Sequence, residues 1–546
     1  MEDYLLSQLE ADSVHHEEVM VDKQVLELND INNGGYNSTI NFNLSAWSNN
    51  DLMIDYSNAI IQIPIIMKCT RAGDNHEAGV NPYVAGLKNC YANFIDSITV
   101  SYNGKNVVEQ QAFTNFHVNF RLLTSMSEDD VNKWGPSIGF YKDDVGGYTY
   151  TKATAATADG INYTNNKDHD IGVMATADRL RNDRDNAGFT KRKQLTTAYS
   201  ATNQISAFDN ISDLYGMNTW KVDGANMVWR IIATIRLKDV SDFFNRAGLM
   251  RNANINLSIT YNEVDFVVGN FNNDSPAAPT ANILKLTSTT VRSGNTNPVL
   301  VTSLNSVASA GNNSMGKAAA IFTYTTRIAR DGVYNHSALN SCRLYACGYT
   351  PSNKTNELIM TRYPTRKIVY NDIYTYKINN KTGAFNEIVS NGITGLQYLV
   401  VIPVATLDTP PYQSPFDTCP GTSTPLATID NFQVQIGGKN IFQKNFQYTY
   451  ETFLFELASI NAKNGGALTG STSGLISQHD FNFGFRYYVC DLSRRANYEN
   501  NKPQSVAVLG TNVARLGGAP VAMDYIVIVA YQKNLSIDTI TGQVVA

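Results

Sequence analysis

The feature that most constrains this chain is a twelve-residue pattern that occurs twice. Residues 95–106 read IDSITVSYNGKN, and residues 429–440 read IDNFQVQIGGKN. Six positions recur unchanged at an offset of 334: Ile95/Ile429, Asp96/Asp430, Val100/Val434, Gly104/Gly438, Lys105/Lys439 and Asn106/Asn440. Such an internal match points to two copies of one structural unit. Ile98, Val100 and Tyr102 alternate with Thr99 and Ser101, the period of a half-buried strand. Phe432, Val434 and Ile436 alternate in the same way with Gln433 and Gln435. Asn103-Gly104 in one copy and Gly437-Gly438 in the other supply the positive-φ residues of a tight hairpin. Recurrence beside a turn glycine in both units makes Lys105 and Lys439 framework residues rather than phosphate ligands. For Asp96 and Asp430 a local side-chain-to-backbone hydrogen bond at the strand entrance is one reading.

The rest of the chain follows the same order twice. At 546 residues it exceeds one ordinary core. Charged residues are only 17%, against 30 Tyr and 23 Phe, a mix that favours strands joined by polar loops. AIIQIPI (59–65) and LQYLVVIPV (396–404) are apolar strands with a proline inside, which predicts an edge or bulged strand for 59–68. After each hairpin the period changes to that of a helix: Phe116, Phe120 and Leu123, then Tyr450, Leu454 and Leu457 at the same offset of 334. Ser127 is an N-cap with three acids behind it, and Gly135-Pro136 predicts the end of that helix. Residues 142–226 are polar and weakly patterned, a long loop or exposed insertion. FNNDSPAAPTANIL (271–284) has linker composition and places a boundary near 275. The expected layout is an arm over 1–22, a first unit over 23–275, a linker with the opening strand of the second unit over 276–310, and the rest of that unit over 311–546. Units of this size, rich in short strands and poor in helices, are β-sandwiches. Two tandem jelly rolls with short helical inserts are the all-β fold class expected.

Several functions lack their signatures. Residues 1–30 carry nine acids and one base, leaving 42 basic and 39 acidic side chains for the remainder. There is no basic tail to condense nucleic acid, and no sequence-specific nucleic-acid binding is expected. The six cysteines (Cys69, Cys90, Cys342, Cys347, Cys419 and Cys490) form no Cys-x-x-Cys pair and read as reduced, mostly buried thiols. The acidic first residues do not form a signal peptide, and the longest apolar runs are strand-sized. GSTSG (470–474) has Thr472 where a nucleophile elbow needs serine. GGKN (437–440) lacks the spacing of a phosphate-binding loop, and the seven histidines are scattered. No catalytic, cofactor-binding or metal-binding residue is assigned, and no enzyme activity or cofactor is expected.

NFIDSITVSYNGKNVVE (93–109), VNFRLLTSMSEDDVNKWG (118–135), GGKNIFQKNFQYTYETFLFEL (437–457), LTGSTSGLIS (468–477) and FRYYVCDLSRR (485–495) together resemble the major capsid proteins of polinton-like viruses and virophages. The resemblance spans nearly the whole chain. It implies a double jelly roll, three chains forming a pseudo-hexagonal capsomer, and capsomers tiling an icosahedral shell. It implies as partners a homotrimer, neighbouring capsomers, and penton and minor capsid proteins. An internal membrane is left open. The place of action it implies is the virion shell, with folding and assembly inside the host cell. The competing reading is a secreted or surface carbohydrate-binding or carbohydrate-active tandem β-sandwich, favoured by aromatic and Asn-rich loops. Such a protein acts as a monomer on glycan.

Overall fold

The computed structural model describes residues 19–48, 52–72, 83–143, 151–152, 161–162, 168–170, 187–194, 197–198, 219–223, 226–275, 278–303, 320–328, 341–406, 409–415, 427–445, 447–463, 474–494, 501–514, 522–538 and 541–545. Most of the expected loop 142–226, most of the arm and Cys419 lie outside these.

Two sandwiches of one topology account for most of the described strands. In the first, β1 (Met20–Asn29), β2 (Thr39–Asn43), β3 (Met53–Ala72), β4 (Ile95–Tyr102), β5 (Lys105–Glu109), β6 (Asn226–Arg236), β7 (Ile255–Tyr261) and β8 (Arg343–Pro351) form two sheets. One runs β1-β8-β3-β6 and the other β2-β7-β4-β5, all antiparallel. The second sandwich repeats this with β9 (Thr365–Lys381), β10 (Ala384–Ile393), β11 (Leu396–Ala405), β12 (Ala427–Ile436), β13 (Lys439–Asn440), β14 (Tyr488–Asp491), β15 (Gln504–Ala514) and β16 (Met523–Asp538). Its sheets run β9-β16-β11-β14 and β10-β15-β12-β13. Each strand of the first unit has its counterpart eight labels later.

The repeated hairpins are β4–β5 and β12–β13. Ile98, Val100 and Tyr102 are fully buried, as are Phe432, Val434 and Ile436, so both alternating faces point into the cores. The turns carry φ of 47° and 80° at Asn103-Gly104, and of 54° and 78° at Gly437-Gly438. Two successive positive-φ residues match the twist of the flanking strands. Both proline-bearing runs form the same strand of their units, β3 and β11.

Three expectations are corrected. The boundary near 275 falls inside a hairpin, Glu263–Ser275 with Ala278–Ser293, whose first strand joins Ala320–Ile328 on the edge of β3. The strand that closes the first sandwich, β8, comes only at 343–351, between β1 and β3. So the described strands of 278–303 and 320–328 come before the first sandwich is closed. We place the division at helix α4 below, between β8 and β9. Secondly, of the edge or bulged strand expected over 59–68 the edge fails: β3 is a central strand, and its pairing with β8 jumps in register between Asp55 and Ile60. Pro64 faces Ile232 on β6. On the opposite side the pairs of Ala320–Ile328 end at Ile65 and those of β8 begin at Gln62. Pro64, which has no N–H to donate, falls in that gap. Pro403 likewise lies beyond the pairs of β14, which stop at Val401. Thirdly, residues 20–22, placed in the expected arm of 1–22, belong to β1.

Five helices matter here. α1 (Thr114–Ser125) and α2 (Glu128–Ile138) follow the first hairpin, α3 (Asp242–Ala247) follows β6, α4 (Asn353–Arg362) joins the units, and α5 (Tyr450–Lys463) follows the second hairpin. Ser127 caps α2 in a reciprocal box with Asp130. The helix does not stop at Gly135-Pro136. It runs on to Gly139, whose φ of 65° ends it. Pro136 is in the last turn, where it removes few helical bonds.

Candidate functional site: one closed seam and one open face

The two units meet along α1. Its Phe116, Phe120 and Leu123 are buried to 1% or less. The edges of Phe113 and Phe116 meet the ring of Tyr412 at 5.7 and 5.8 Å between centroids, and Phe120 meets Tyr487 at 5.3 Å. The Nε2 atom of His117 lies 2.8 Å from the Tyr398 hydroxyl. Burial, with the Arg121 charge adding to it, pushes the His117 imidazole down to about 3, so the ring is neutral.

A polar line runs alongside. The Glu109 N–H donates to the Asp372 carboxylate at 3.3 Å, and the Lys533 ammonium sits on the same oxygen at 2.7 Å. The Asp372 side chain is fully buried. Burial pulls the Lys533 amine down, but the Asp372 charge more than offsets it and the net shift is upward. The hydroxyls of Tyr370 and Thr375 donate to the carbonyls of Val107 and Ala112, and Arg366 donates to those of Ala247 and Leu249. At the other end of α1, Leu475 N–H donates to Leu123 O at 2.8 Å, and Lys142 pairs with Asp480 at 2.7 Å. Gly474 has φ of 64°, and a Cβ there would lie 2.5 Å from the Leu123 carbonyl. The closing glycine of the GSTSG run is thus a packing residue at this seam.

Among the described residues, the second unit carries the corresponding surface without a cover. At the offset of 334, Phe116, His117, Phe120 and Arg121 become Tyr450, Glu451, Leu454 and Phe455 on α5. Phe453 and Leu457 of α5 are fully buried in the second core, while Phe455 is 68% exposed and Glu451 is exposed. Beside α5 lies a cavity of 380 Å³, lined by Asp430, Gln447, Thr449, Tyr450, Glu451 and Arg486 among others. The first unit has the opposite surplus. Along β8, Leu344 and Ala346 are buried while Arg343, Tyr345, Cys347 and Tyr349 are half-buried. On β1, Val21 and Val25 are 61% and 71% exposed. Their counterpart β16 is buried at eight successive positions, Met523–Ala530, because its outer face lies under the first unit.

The recurring hairpin residues divide by position. Ile95 and Ile429 are core residues, while Gly104, Lys105, Asn106, Gly438, Lys439 and Asn440 are exposed at the tips. Asp96 is buried, and burial raises its pKa despite hydrogen bonds from Asn295 and from the backbone of Phe113, where α1 starts. Asp430 is half-buried in the cavity wall. The seam residues Tyr398, Tyr412, Tyr487, Asp372 and Lys533 are not marked by the repeat. The signal pointing at that face is the pair of unbroken apolar runs in β11 and β16. Among the described residues no group of three or more His, Cys, Asp or Glu could hold a metal ion. No described helix is long and apolar enough to cross a membrane.

Two sandwiches of this topology side by side in one chain define a double jelly roll. No family model matches the chain, and no curated protein matches it in sequence. Among solved structures, a chain of the Sputnik virophage shares the fold at 11% identity, over 97% of this chain and 88% of that one, with a TM-score of 0.50. The mavirus major capsid protein aligns at 11% identity over 98% of this chain and 93% of that one, with a TM-score of 0.41. The Faustovirus major capsid protein aligns at 9% identity over 96% and 92%, with a TM-score of 0.44.

Proposed function

We propose that the chain is a major capsid protein whose three copies close into a ring of six similar sandwiches, and that such rings tile an icosahedral virus shell. One observation carries the reading: each unit has a helix face and an outer sheet face, and the chain uses one of each internally. The α1 face of the first unit meets the outer sheet of the second. Among the described residues, the α5 face of the second unit and the β1-β8 part of the first unit's outer sheet are left over, whereas Ile66, Val228, Arg230 and Ile232 on β3 and β6 are buried. These leftovers are two different surfaces, so copies join head to tail, and a head-to-tail contact closes into a ring when its rotation allows. The fold shared with a Sputnik virophage chain supports the same reading. On this account the protein is structural rather than catalytic. It acts in the virion shell, is folded and assembled in the host cell, and meets neighbouring rings and the penton and minor proteins of the particle. Negative-stain images of the purified full-length chain test it. Six-lobed particles are expected, and two-lobed particles throughout would contradict it.

A further inference from the structure

We propose that residues 1–18 dock on α4 of the same chain, so that an acidic and apolar segment covers the basic and apolar helix that joins the two units. The proposal stands apart from the capsomer reading, because it involves neither the α5 face nor the outer sheet of the first unit.

α4 differs from the other long helices. α1 buries Phe116, Phe120 and Leu123, and α5 buries Phe453 and Leu457, but α4 buries none of its ten residues. A helix this short is marginal in water and draws its stability from packing. Its cap, the Ser352 hydroxyl accepting from Thr355 N–H, satisfies only the backbone. Leu358 is 47% exposed, and Tyr363, just past the end of the helix, is 59% exposed. Lys354, Arg362 and Lys367 are exposed around them. Arg251 of the first unit adds a further positive charge, donating to the Asn356 side chain at 2.7 Å. Glu357 is the one acid of the helix. The surface that α4 presents to water is therefore apolar and flanked by positive charge.

Sequence and reach choose the occupant. Residues 1–18 hold six acids, Glu2, Asp3, Glu10, Asp12, Glu17 and Glu18, and no Lys or Arg. Tyr4, Leu5 and Leu9 supply apolar groups to match Leu358 and Tyr363. The Ser352 N–H donates to Val19 O at 3.1 Å, so this segment joins the described chain beside the N-cap of α4. Glu17 and Glu18 come directly before Val19, and the first turn of α4 has no acid of its own. That turn is the positive end of the helix dipole, where carboxylates are stabilised. A ten-residue helix is about 15 Å long, a distance that about five extended residues span. Attachment this close gives an effective concentration on the order of millimolar, well ahead of a segment from another molecule. The same carboxylates repel nucleic acid and anionic lipid from these bases.

The test treats full-length protein with a water-soluble carbodiimide, which joins carboxylates to lysines in contact with them. Amides from Lys354 or Lys367 to acids within residues 2–18 are expected, in chains that still run at 60.2 kDa after denaturation. The same amides found only in products of twice that mass would give the site to another copy and overturn the proposal, as would their absence. A full-length variant with Glu10→Gln, Asp12→Asn, Glu17→Gln and Glu18→Gln should be cut by trypsin after Arg362 at least about fivefold faster than wild type, since cleavage follows the uncovered population. Equal rates would contradict the docking. Glu451→Gln, on an exposed acid of α5, should leave the rate unchanged. Phosphatidylserine vesicles and duplex DNA should be held more strongly by the neutralised variant than by wild type, and equal retention would show that the bases are not covered. The number of lobes in negative-stain images is the same whichever result is found, which separates this test from that of the capsomer reading.

Discussion

β8 and β16 occupy the same place in two sandwiches of one topology, yet they are written differently. β16 begins MDYIVIVA and is buried on both faces, whereas β8 reads RLYACGYTP and alternates buried with half-buried residues. A strand covered on both sides becomes a continuous apolar run, and one with an uncovered face alternates. The difference records which unit has a neighbour on its outer sheet within the chain.

The sharpest way to break this comparison is to damage the covered face and its uncovered counterpart separately. Asp372→Ala leaves Lys533 without its carboxylate at the closed seam. We expect a loss of about 2–3 kcal/mol in urea unfolding, below the cost of a fully buried pair because Lys533 keeps 29% of its side chain in water. Lys23→Ala, on the outer face of the first unit, should change the stability of the single chain by less than about 0.5 kcal/mol. Equal losses would mean that the two faces are not in different states.

A second difference is His117 against Glu451. His117 is held neutral with a folded pKa of about 3, below its ordinary 6.5. The unfolded chain therefore binds the extra proton first, and stability falls as pH drops below about 6.5 toward 3. At pH 5 the loss is about 2 kcal/mol, from about 1.4 kcal/mol per unit below 6.5. His117→Gln should flatten this part of the acid profile measured by thermal unfolding. An unchanged slope would show that the ring is not buried neutral at the seam.

The smallest effect should be the most symmetrical. Gly104 and Gly438 have φ of 80° and 78°, and an added Cβ meets nothing within 4 Å at either. Gly104→Ala and Gly438→Ala therefore carry only backbone strain, about 1 kcal/mol each. A loss at one site alone would contradict the equivalence of the hairpins.

The local parts of this fold were legible in the sequence, and the non-local parts were not. The hairpins, α1 and the Ser127 cap follow from residue periods, turn chemistry and short-range capping. The end of the first unit does not. FNNDSPAAPTANIL looks like a linker, yet β8 closes the sandwich by pairing Arg343 with Asn29, more than three hundred residues back. Pro64 misled for the same reason, since the break in its neighbouring strands lies far along the chain. The helix boundary at Gly135-Pro136 failed because a proline in the last turn is tolerated. The seam was written in the sequence as the unbroken runs of β11 and β16, and the meaning of the second depends on knowing that β8 lacks it.

The central claim is that this chain carries two complementary faces, left open in one copy and satisfied in three. The mass of the purified full-length protein in solution tests it most directly. The account predicts a species of about 181 kDa, three times the 60.2 kDa chain, persisting on dilution. A stable particle of 60.2 kDa at all concentrations, with both faces in water, would contradict it.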